Sequence, residues 1–389
     1  MELKIERLSK TYPNGVHALR DVSLTIAPGM FGLLGPNGAG KSTLMRILAT
    51  LQEADAGRAT LGGIDVLRDK EAVRRTLGYL PQEFGLYPRA TAEEMLDHFA
   101  VLKGVTDGGE RRDTVRSLLE QTNLWDARNR RLGTFSGGMR QRFGIAVALI
   151  GNPRLIIVDE PTAGLDPAER ARFLNLLSEL GENAVVILST HIVEDVSDLC
   201  QRMAIIKDGQ ILLEAEPQAA VRAVRGRVWR REVPREEVES YKDSLISTTL
   251  VGGRTVVHVH GDAPPDDRFQ PVEPDLKDVY FTVMRGFSIE RPEPHLAVQD
   301  AGVRPDLPRE WRDVHPGVVQ VQPRPDDEEH DAGSTTPPSH DPAPPPSRAS
   351  ASASSGDSAT PSDDPAPAAD DASRPSEDPW ALFRRPESR

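Results

Sequence analysis

The sequence is poor in cysteine and in long apolar runs. Cys200 is the only cysteine among 389 residues, so no disulfide can form within one chain, which suits a reducing compartment. The strongest apolar runs, residues 144–150 and 185–188, are far shorter than the roughly 18 residues that cross a membrane as a helix. The first ten residues, MELKIERLSK, lack the apolar core of a secretory signal. We therefore expect a chain that is soluble by itself and meets a membrane only through a partner.

Positive charges are outnumbered by negative ones. The chain has 47 lysines and arginines against 60 aspartates and glutamates, a formal net charge of −13 at pH 7. A protein that binds nucleic acid normally has the opposite sign or a concentrated basic patch. The arginines here are scattered in short groups such as residues 111–112, 130–131 and 140–142. We expect no nucleic-acid partner.

A phosphate-binding loop is the clearest motif that is present. Residues 35–43 read GPNGAGKST after the apolar run 30–34, which matches G-x-x-x-x-G-K-[ST] between a buried strand and a helix. Glycine lets the backbone point successive N–H groups into one concavity, and the helix start favours an anion. Lys41 is placed to reach the β and γ phosphates, and the Ser42 hydroxyl to ligate Mg²⁺. The predicted nucleotide-binding residues are Gly35, Pro36, Asn37, Gly38, Ala39, Gly40, Lys41, Ser42 and Thr43.

Two carboxylates, Asp159 and Glu160, end the apolar run of residues 155–158. Four consecutive apolar residues are typical of a strand buried on both faces of a parallel sheet, and a buried charge needs a compensating partner. A magnesium–phosphate ligand is such a partner. Asp159 would then serve the metal, and Glu160 would accept a proton from an attacking water. The alternative is an acidic pair that faces solvent at the strand end.

Two helix starts carry weaker signals. Ser136, followed by Gly137 and Gly138, reads as the cap of a helix. The N-terminus of that helix either binds an anion or is an ordinary helix end. Asp166 stands before a proline and is predicted to cap a helix over residues 168–180.

Histidine and tyrosine positions leave alternatives open. His191 follows the predicted strand 184–189, at the sheet edge where ligands collect in open α/β sheets; otherwise it is a loop histidine. Tyr12, upstream of the glycines, either stacks on a nucleotide base or is a half-exposed loop residue. His258 and His260 share one face of a strand, a spacing that suits a metal, but no third ligand is evident.

Composition divides the chain into three parts. We predict an α/β unit over residues 1–215, with a helical insert at about 83–148, and a small α+β appendage over 216–290. From 291 to 389 the chain holds 19 of its 33 prolines among Ser, Ala and Asp, a composition that predicts a disordered tail. Residues 378–385 add two aromatics and a basic pair, which are either a docking motif or a chance end of that tail.

These motifs, taken in order, resemble the nucleotide-binding domain of the ATP-binding cassette (ABC) family. The resemblance covers residues 1–215 densely and 216–290 loosely. It implies a P-loop core with a mostly parallel sheet, helices on both faces and N-terminal antiparallel strands. The motifs that carry it are GPNGAGKST at 35–43, the lone Gln82, FSGGM at 135–139, LIIVDE at 155–160, AGLD at 163–166 and His191.

The resemblance implies a composite site between two cassettes that bind ATP. Packed head to tail, they would place Ser136, Gly137 and Gly138 of one chain against the γ-phosphate held by Lys41 of the other. Asp166 belongs to the same nucleotide-binding set. One departure stands at Met139, where the family usually has glutamine; we expect it to alter helix packing or coupling more than hydrolysis.

The resemblance also implies catalytic and metal roles. Glu160 would polarise the attacking water, His191 and Gln82 would sense the γ-phosphate, and Tyr12 would stack on adenine. The implied Mg²⁺ ligands are Ser42, Gln82 and Asp159.

The partners follow from the same resemblance. We expect a membrane permease on a separate chain, a place at the cytoplasmic face of the membrane and export as the direction. We also expect a second cassette, either a copy of this chain, which the complete set Glu160, His191 and Ser136 favours, or a different chain. Two other functions compete: a cassette ATPase acting on nucleic acid or ribosomes, and an ATP-dependent regulatory scaffold. The acidity counts against the first, and an intact Glu160 counts against the second.

Overall fold

A computed structural model describes residues 1–180 and 184–289. The predicted tail (291–389) and the candidate motif at 378–385 lie outside the described residues. The strands are β1 (Leu3–Thr11), β2 (His17–Ile26), β3 (Gly29–Leu34), β4 (Ala56–Leu61), β5 (Ile64–Asp65), β6 (Leu77–Leu80), β7 (Leu155–Asp159), β8 (Val185–Thr190), β9 (Arg202–Lys207), β10 (Gln210–Ala215), β11 (Val228–Val233), β12 (Leu245–Val251), β13 (Arg254–His260) and β14 (Gln270–Pro271). The α-helices are α1 (Lys41–Leu48), α2 (Lys70–Thr76), α3 (Ala92–Leu102), α4 (Gly108–Gln121), α5 (Gly137–Ala148), α6 (Pro167–Leu180), α7 (Val193–Leu199), α8 (Pro217–Ala223) and α9 (Leu276–Met284).

The central sheet has the order β10-β9-β3-β8-β7-β6. Its neighbours pair in parallel from β9 to β6, and β10 is antiparallel to β9. Every residue of β7 and β8 is buried, because strands covered on both faces need continuous apolar side chains. The prediction of a buried strand before Asp159 is confirmed.

A second, antiparallel sheet precedes the core. Its order is β2-β1-β4-β5, and β1 pairs antiparallel with both β2 and β4. Alternating burial in β2, with Val22, Leu24 and Ile26 inward, is the pattern of a sheet with one face on the core. The predicted α/β fold with N-terminal antiparallel strands is confirmed.

The helical stretch between β6 and β7 holds α3, α4 and α5. A capping box starts α3: Thr91 accepts from the Glu94 N–H while the Glu94 carboxylate accepts from the Thr91 N–H. Lys103, just after α3, donates to the carbonyls of Leu77 (2.7 Å) and Arg74 (3.1 Å). This partly buried ammonium group joins the helical stretch to the start of β6.

The C-terminal appendage is an antiparallel sheet, β12-β13-β11-β14, with α9 packed on it. Gly252 and Gly253 form the turn between β12 and β13. His258 has a carboxylate partner, because its Nδ1 lies 2.7 Å from Asp278 Oδ1 on α9. Across the described ranges, no group of three candidate metal ligands occurs. Cys200 is buried, as expected of a small apolar residue.

Candidate functional site

The predicted site residues converge at one edge of the central sheet. Parallel pairing sets Leu34 beside Thr190, Asp159 beside Ser189, and Leu80 beside Val158. The loop after β3, the acidic pair at the end of β7 and the histidine after β8 therefore share the carboxyl-terminal edge. Gln82 is exposed just beyond β6 at the same edge. This is where open α/β sheets bind ligands.

The phosphate-binding loop takes a conformation that needs glycine. Gly38 and Gly40 have φ of +80° and +106°, which L side chains rarely adopt. A Cβ at Gly40 would also lie 2.4 Å from the Ala18 carbonyl oxygen. The loop leads directly into α1, so backbone N–H groups and the helix N-terminus share one concavity.

Lys41 lies within this loop. Its side chain is 4% exposed, and Nζ donates to the carbonyls of Gly35 (2.8 Å) and Pro36 (3.2 Å). Nζ also lies 3.3 Å from Glu160 Oε1. In this arrangement the ammonium charge is compensated by a carboxylate at the mouth of the loop.

Glu160 is held between two partners. It is 8% exposed; Oε1 faces Lys41, and Oε2 lies 3.1 Å from His191 Nδ1. Its φ is +46°, a left-handed conformation that costs a non-glycine residue on the order of 1–3 kcal/mol. The Glu160 N–H donates to the Ser189 carbonyl at 2.8 Å, across to β8. Strained backbone with fixed side-chain contacts is typical of a preorganised functional group.

Asp159 meets the requirements of a metal ligand. It is 3% exposed, and its buried Oδ1 has no hydrogen-bond partner in the described part of the chain. Burial raises the pKa of the Asp159 carboxyl, while the hydroxyls of Ser189 and Ser42 act in the opposite direction. A carboxylate with an unused oxygen beside a serine hydroxyl fits Mg²⁺, which prefers oxygen ligands.

Tyr12 is anchored beside the phosphate-binding loop. It is half-buried, and its hydroxyl lies 3.0 Å from Thr43 Oγ1 and 3.3 Å from Gln52 Oε1. The side chain is therefore attached to α1 and its C-terminal flank. These hydroxyl contacts hold the ring at one side of the loop.

Ser136 and Asp166 are both helix caps. The Ser136 Oγ accepts from the Met139 N–H at 3.2 Å at the start of α5, and the Asp166 Oδ1 accepts from the Glu169 N–H at 2.8 Å at the start of α6. Ser136 and Gly137 are exposed, so the cap faces outward. Gly138 is buried against α6, where a Cβ would lie 2.3 Å from Glu169 Oε2.

Met139 is partly buried and packs against the main core. Its side chain thus belongs to the packing of α5, whereas the exposed part of the motif is the serine and the first glycine. The contact supports an effect on helix packing.

One buried cluster at this edge escaped the sequence reasoning. Asp195 on α7 accepts hydrogen bonds from Thr162, in the loop after Glu160, and from Arg170 on α6. In the sequence Asp195 looks like any acidic residue in the first turn of a helix, where such residues are common. Only the fold brings these three side chains together.

Three comparisons with known proteins bear on this site. A family model described as "ABC transporter" matches residues 19–163. The "Probable multidrug ABC transporter ATP-binding protein YbhF" of Escherichia coli (strain K12) is 32% identical over 303 residues, which cover 73% of this chain and 52% of that protein. The chain therefore spans about half the length of that relative.

This chain spans most of the length of two further matches. The "ABC transporter ATP-binding protein NatA" of Bacillus subtilis (strain 168) is 40% identical over 200 residues, which cover 51% of this chain and 81% of that protein. The solved "Dimeric structure of a post-hydrolysis state of the ATP-binding cassette MJ0796 bound to ADP and Pi" aligns with a TM-score of 0.51 at 31% identity. It covers 55% of this chain and 98% of that one. In the described residues, no helix is long and apolar enough to cross a membrane.

Proposed function

Because the chain belongs to the ABC transporter ATP-binding family, we propose that it is an ATPase subunit that powers a membrane transporter. The observation that carries this proposal is the convergence of Lys41, Asp159, Glu160 and His191 at one sheet edge. These groups supply a phosphate-binding cation, a metal ligand and a base, which phosphoryl transfer to water uses, and an imidazole beside the base.

Binding of ATP would use the loop and its flanks. The N–H groups of residues 35–43 would cradle the phosphates, with Lys41 at the β and γ positions. The Tyr12 ring would stack on the adenine. Mg²⁺, when bound, would neutralise charge on the phosphates, and Ser42, Gln82 and Asp159 are the residues that would hold it.

Hydrolysis would use Glu160 as the base. A water attacks the γ-phosphorus and gives up its proton to a Glu160 carboxylate oxygen, and the bond to the β-phosphate oxygen breaks to leave ADP and phosphate. His191 touches Glu160 at 3.1 Å and would orient both the carboxylate and the γ-phosphate. Gln82 is exposed at the same edge and would contact the γ-phosphate.

A second copy of the chain would complete the site. Ser136 and Gly137 are exposed, and the helix start behind them offers N–H groups and a positive dipole end to an anion. We propose a head-to-tail homodimer in which Ser136, Gly137 and Gly138 of one chain face the ATP held by the other, with Asp166 beside them. The MJ0796 cassette, 31% identical to this chain, has a dimeric structure, which supports the association of two cassettes.

The transporter itself is proposed as an exporter with its permease on a separate chain. This rests on the relatives, whose names describe ATP-binding proteins and, in one case, multidrug transport. The cassette would then lie at the cytoplasmic face of the membrane. The stretch after Gln82, where Tyr87 is 64% exposed, is the proposed contact with the permease.

Phosphate release from Mg²⁺–ATP by the purified full chain tests the enzymatic part. The wild type is expected to bind and hydrolyse ATP, and Lys41→Ala is expected to lose both activities. Arg58→Ala, a change of a surface cation on β4, serves as the matched control. A wild-type chain that binds no ATP at millimolar concentration would overturn the proposal.

A further inference from the structure

A buried carboxylate lies behind the proposed site without belonging to it. Asp195 on α7 is 0% exposed. Its Oδ2 accepts from Thr162 Oγ1 at 2.6 Å, and its Oδ1 accepts from Arg170 Nε at 2.8 Å and Nη2 at 2.7 Å. The charge is thus paired and hydrogen-bonded, as a buried charge must be.

These three contacts join two segments that leave the same sheet edge, one after β7 and one after β8. Thr162 stands two residues after Glu160, and Asp195 stands four residues after His191. Arg170 lies in the first turn of α6, the helix that begins directly after Asp166. The cluster therefore ties the segment that carries Glu160 to the segment that carries His191.

This tie is one of the attachments of the segment between Glu160 and Asp166. Its backbone makes the bond from Glu160 N–H to the Ser189 carbonyl, a long Ala163–Glu160 bond of 3.4 Å and a Leu165–Thr162 bond of 3.2 Å. The Ala163–Glu160 and Leu165–Thr162 bonds only close turns within the segment, so they do not attach it to another element. The Thr162 side chain is 3% exposed and holds the segment to α7, while Glu160 itself is in a left-handed conformation that the surroundings must maintain.

We propose that Asp195 is a positioning residue for ATP hydrolysis. By holding Thr162 and Arg170, it fixes the Glu160 segment relative to the His191 segment, so that the carboxylate keeps its contact with the imidazole. The inference rests on the proposed function and adds to it a buried group that touches no substrate. Such positioning affects the rate of the chemical step more than the affinity for ATP, because small misplacements of a base are costly.

Thr162 offers the cleanest test. Thr162→Val keeps the shape and removes the hydroxyl, and Thr162→Ser keeps the hydroxyl. Thr122→Val is the matched control: Thr122 is also buried, and its hydroxyl donates to the Leu118 carbonyl at the end of α4, away from the sheet edge. For each full-length variant, kcat and KM for Mg²⁺–ATP and the unfolding temperature are measured.

We expect Thr162→Val to lower kcat by roughly tenfold with KM changed by less than about twofold, and Thr162→Ser to restore most of the rate. Thr122→Val is expected to lower the unfolding temperature with kcat unchanged. Equal kcat for Thr162→Val and wild type would overturn the proposal, as would a loss of rate in Thr122→Val equal to that in Thr162→Val.

Asp195→Asn provides a second, stronger perturbation. It leaves the Arg170 charge without its counterion, so we expect a lower unfolding temperature and a larger loss of kcat than in Thr162→Val. If Asp195→Asn folds and turns over like wild type, Asp195 has no positioning role. Failure of the proposed function is separate, since it would appear as a wild-type chain that hydrolyses no ATP.

Discussion

Replacing Glu160 by glutamine removes one negative charge while keeping the shape of the side chain. The glutamine amide can still contact Lys41 and His191, which lie 3.3 Å and 3.1 Å from the two carboxylate oxygens. Lys41 also keeps its bonds to the Gly35 and Pro36 carbonyls, so the loop geometry is expected to survive. What is lost is a group that accepts the proton of the attacking water.

The size of the effect follows from that loss. Removing a general base lowers turnover by ~10²–10⁴-fold, which corresponds to about 3–5 kcal/mol in the activation barrier. ATP binding is expected to change little, because the phosphate-binding groups are untouched. With hydrolysis blocked, ATP should stay between two chains, so Glu160→Gln is expected to form a dimer in the presence of ATP.

The assay is phosphate release under saturating Mg²⁺–ATP, together with light scattering after gel filtration with and without ATP. Glu214→Gln is the matched control, because Glu214 is a half-buried carboxylate on β10 that pairs with Arg202 at 2.8 Å. Its rate should match the wild type. Turnover of Glu160→Gln within about threefold of the wild type would refute Glu160 as the base, since even modest base catalysis exceeds that factor.

Three further predictions concern the proposed metal ligand Asp159, the stacking of Tyr12 on adenine, and the partly buried Lys103. Asp159→Asn removes a buried charge with an unpartnered oxygen, so we expect the nucleotide-free unfolding temperature to hold or rise while Mg²⁺-dependent phosphate release falls by more than ~100-fold. Tyr12→Ala should raise KM for ATP roughly tenfold through lost stacking, whereas Tyr12→Phe should stay near wild type in the same rate measurement; equal KM values for both would exclude stacking. Burial lowers the pKa of Lys103 from 10.5 to about 8, so the unfolded chain binds more protons between those pH values. The unfolding free energy should therefore rise with pH from about 8 to 10.5, by up to about 3 kcal/mol relative to Lys103→Met. Urea denaturation at several pH values measures the difference, and parallel curves for the two proteins would contradict it.

Much of the fold was predictable because local signals and the global fold agree. The apolar runs before Lys41 and Asp159 mark strands buried on both faces, and the glycines mark the loop between β3 and α1. Once those strands are placed in one parallel sheet, their carboxyl ends must lie at the same edge. That step alone places Asp159 and the phosphate-binding loop together.

The remaining features depend on contacts between residues distant in sequence. The left-handed conformation of Glu160, the bond from Tyr12 to Thr43 and the pairing of Asp195 with Thr162 are all set by tertiary packing. No spacing rule encodes them, because the partners are separated by tens of residues and the residue types occur equally on solvent-exposed surfaces. The same holds for His258, whose carboxylate partner lies on a different element.

The measurement that tests the central claim most directly is a pull-down of tagged Glu160→Gln chain with ATP from detergent-solubilised native membranes. The account predicts that a membrane protein with several spanning helices co-purifies, and that the Lys41→Ala variant treated in the same way recovers less of it. Recovery of ribosomal proteins or nucleic acid, with no membrane protein, would contradict the proposal that this ATPase powers a transporter.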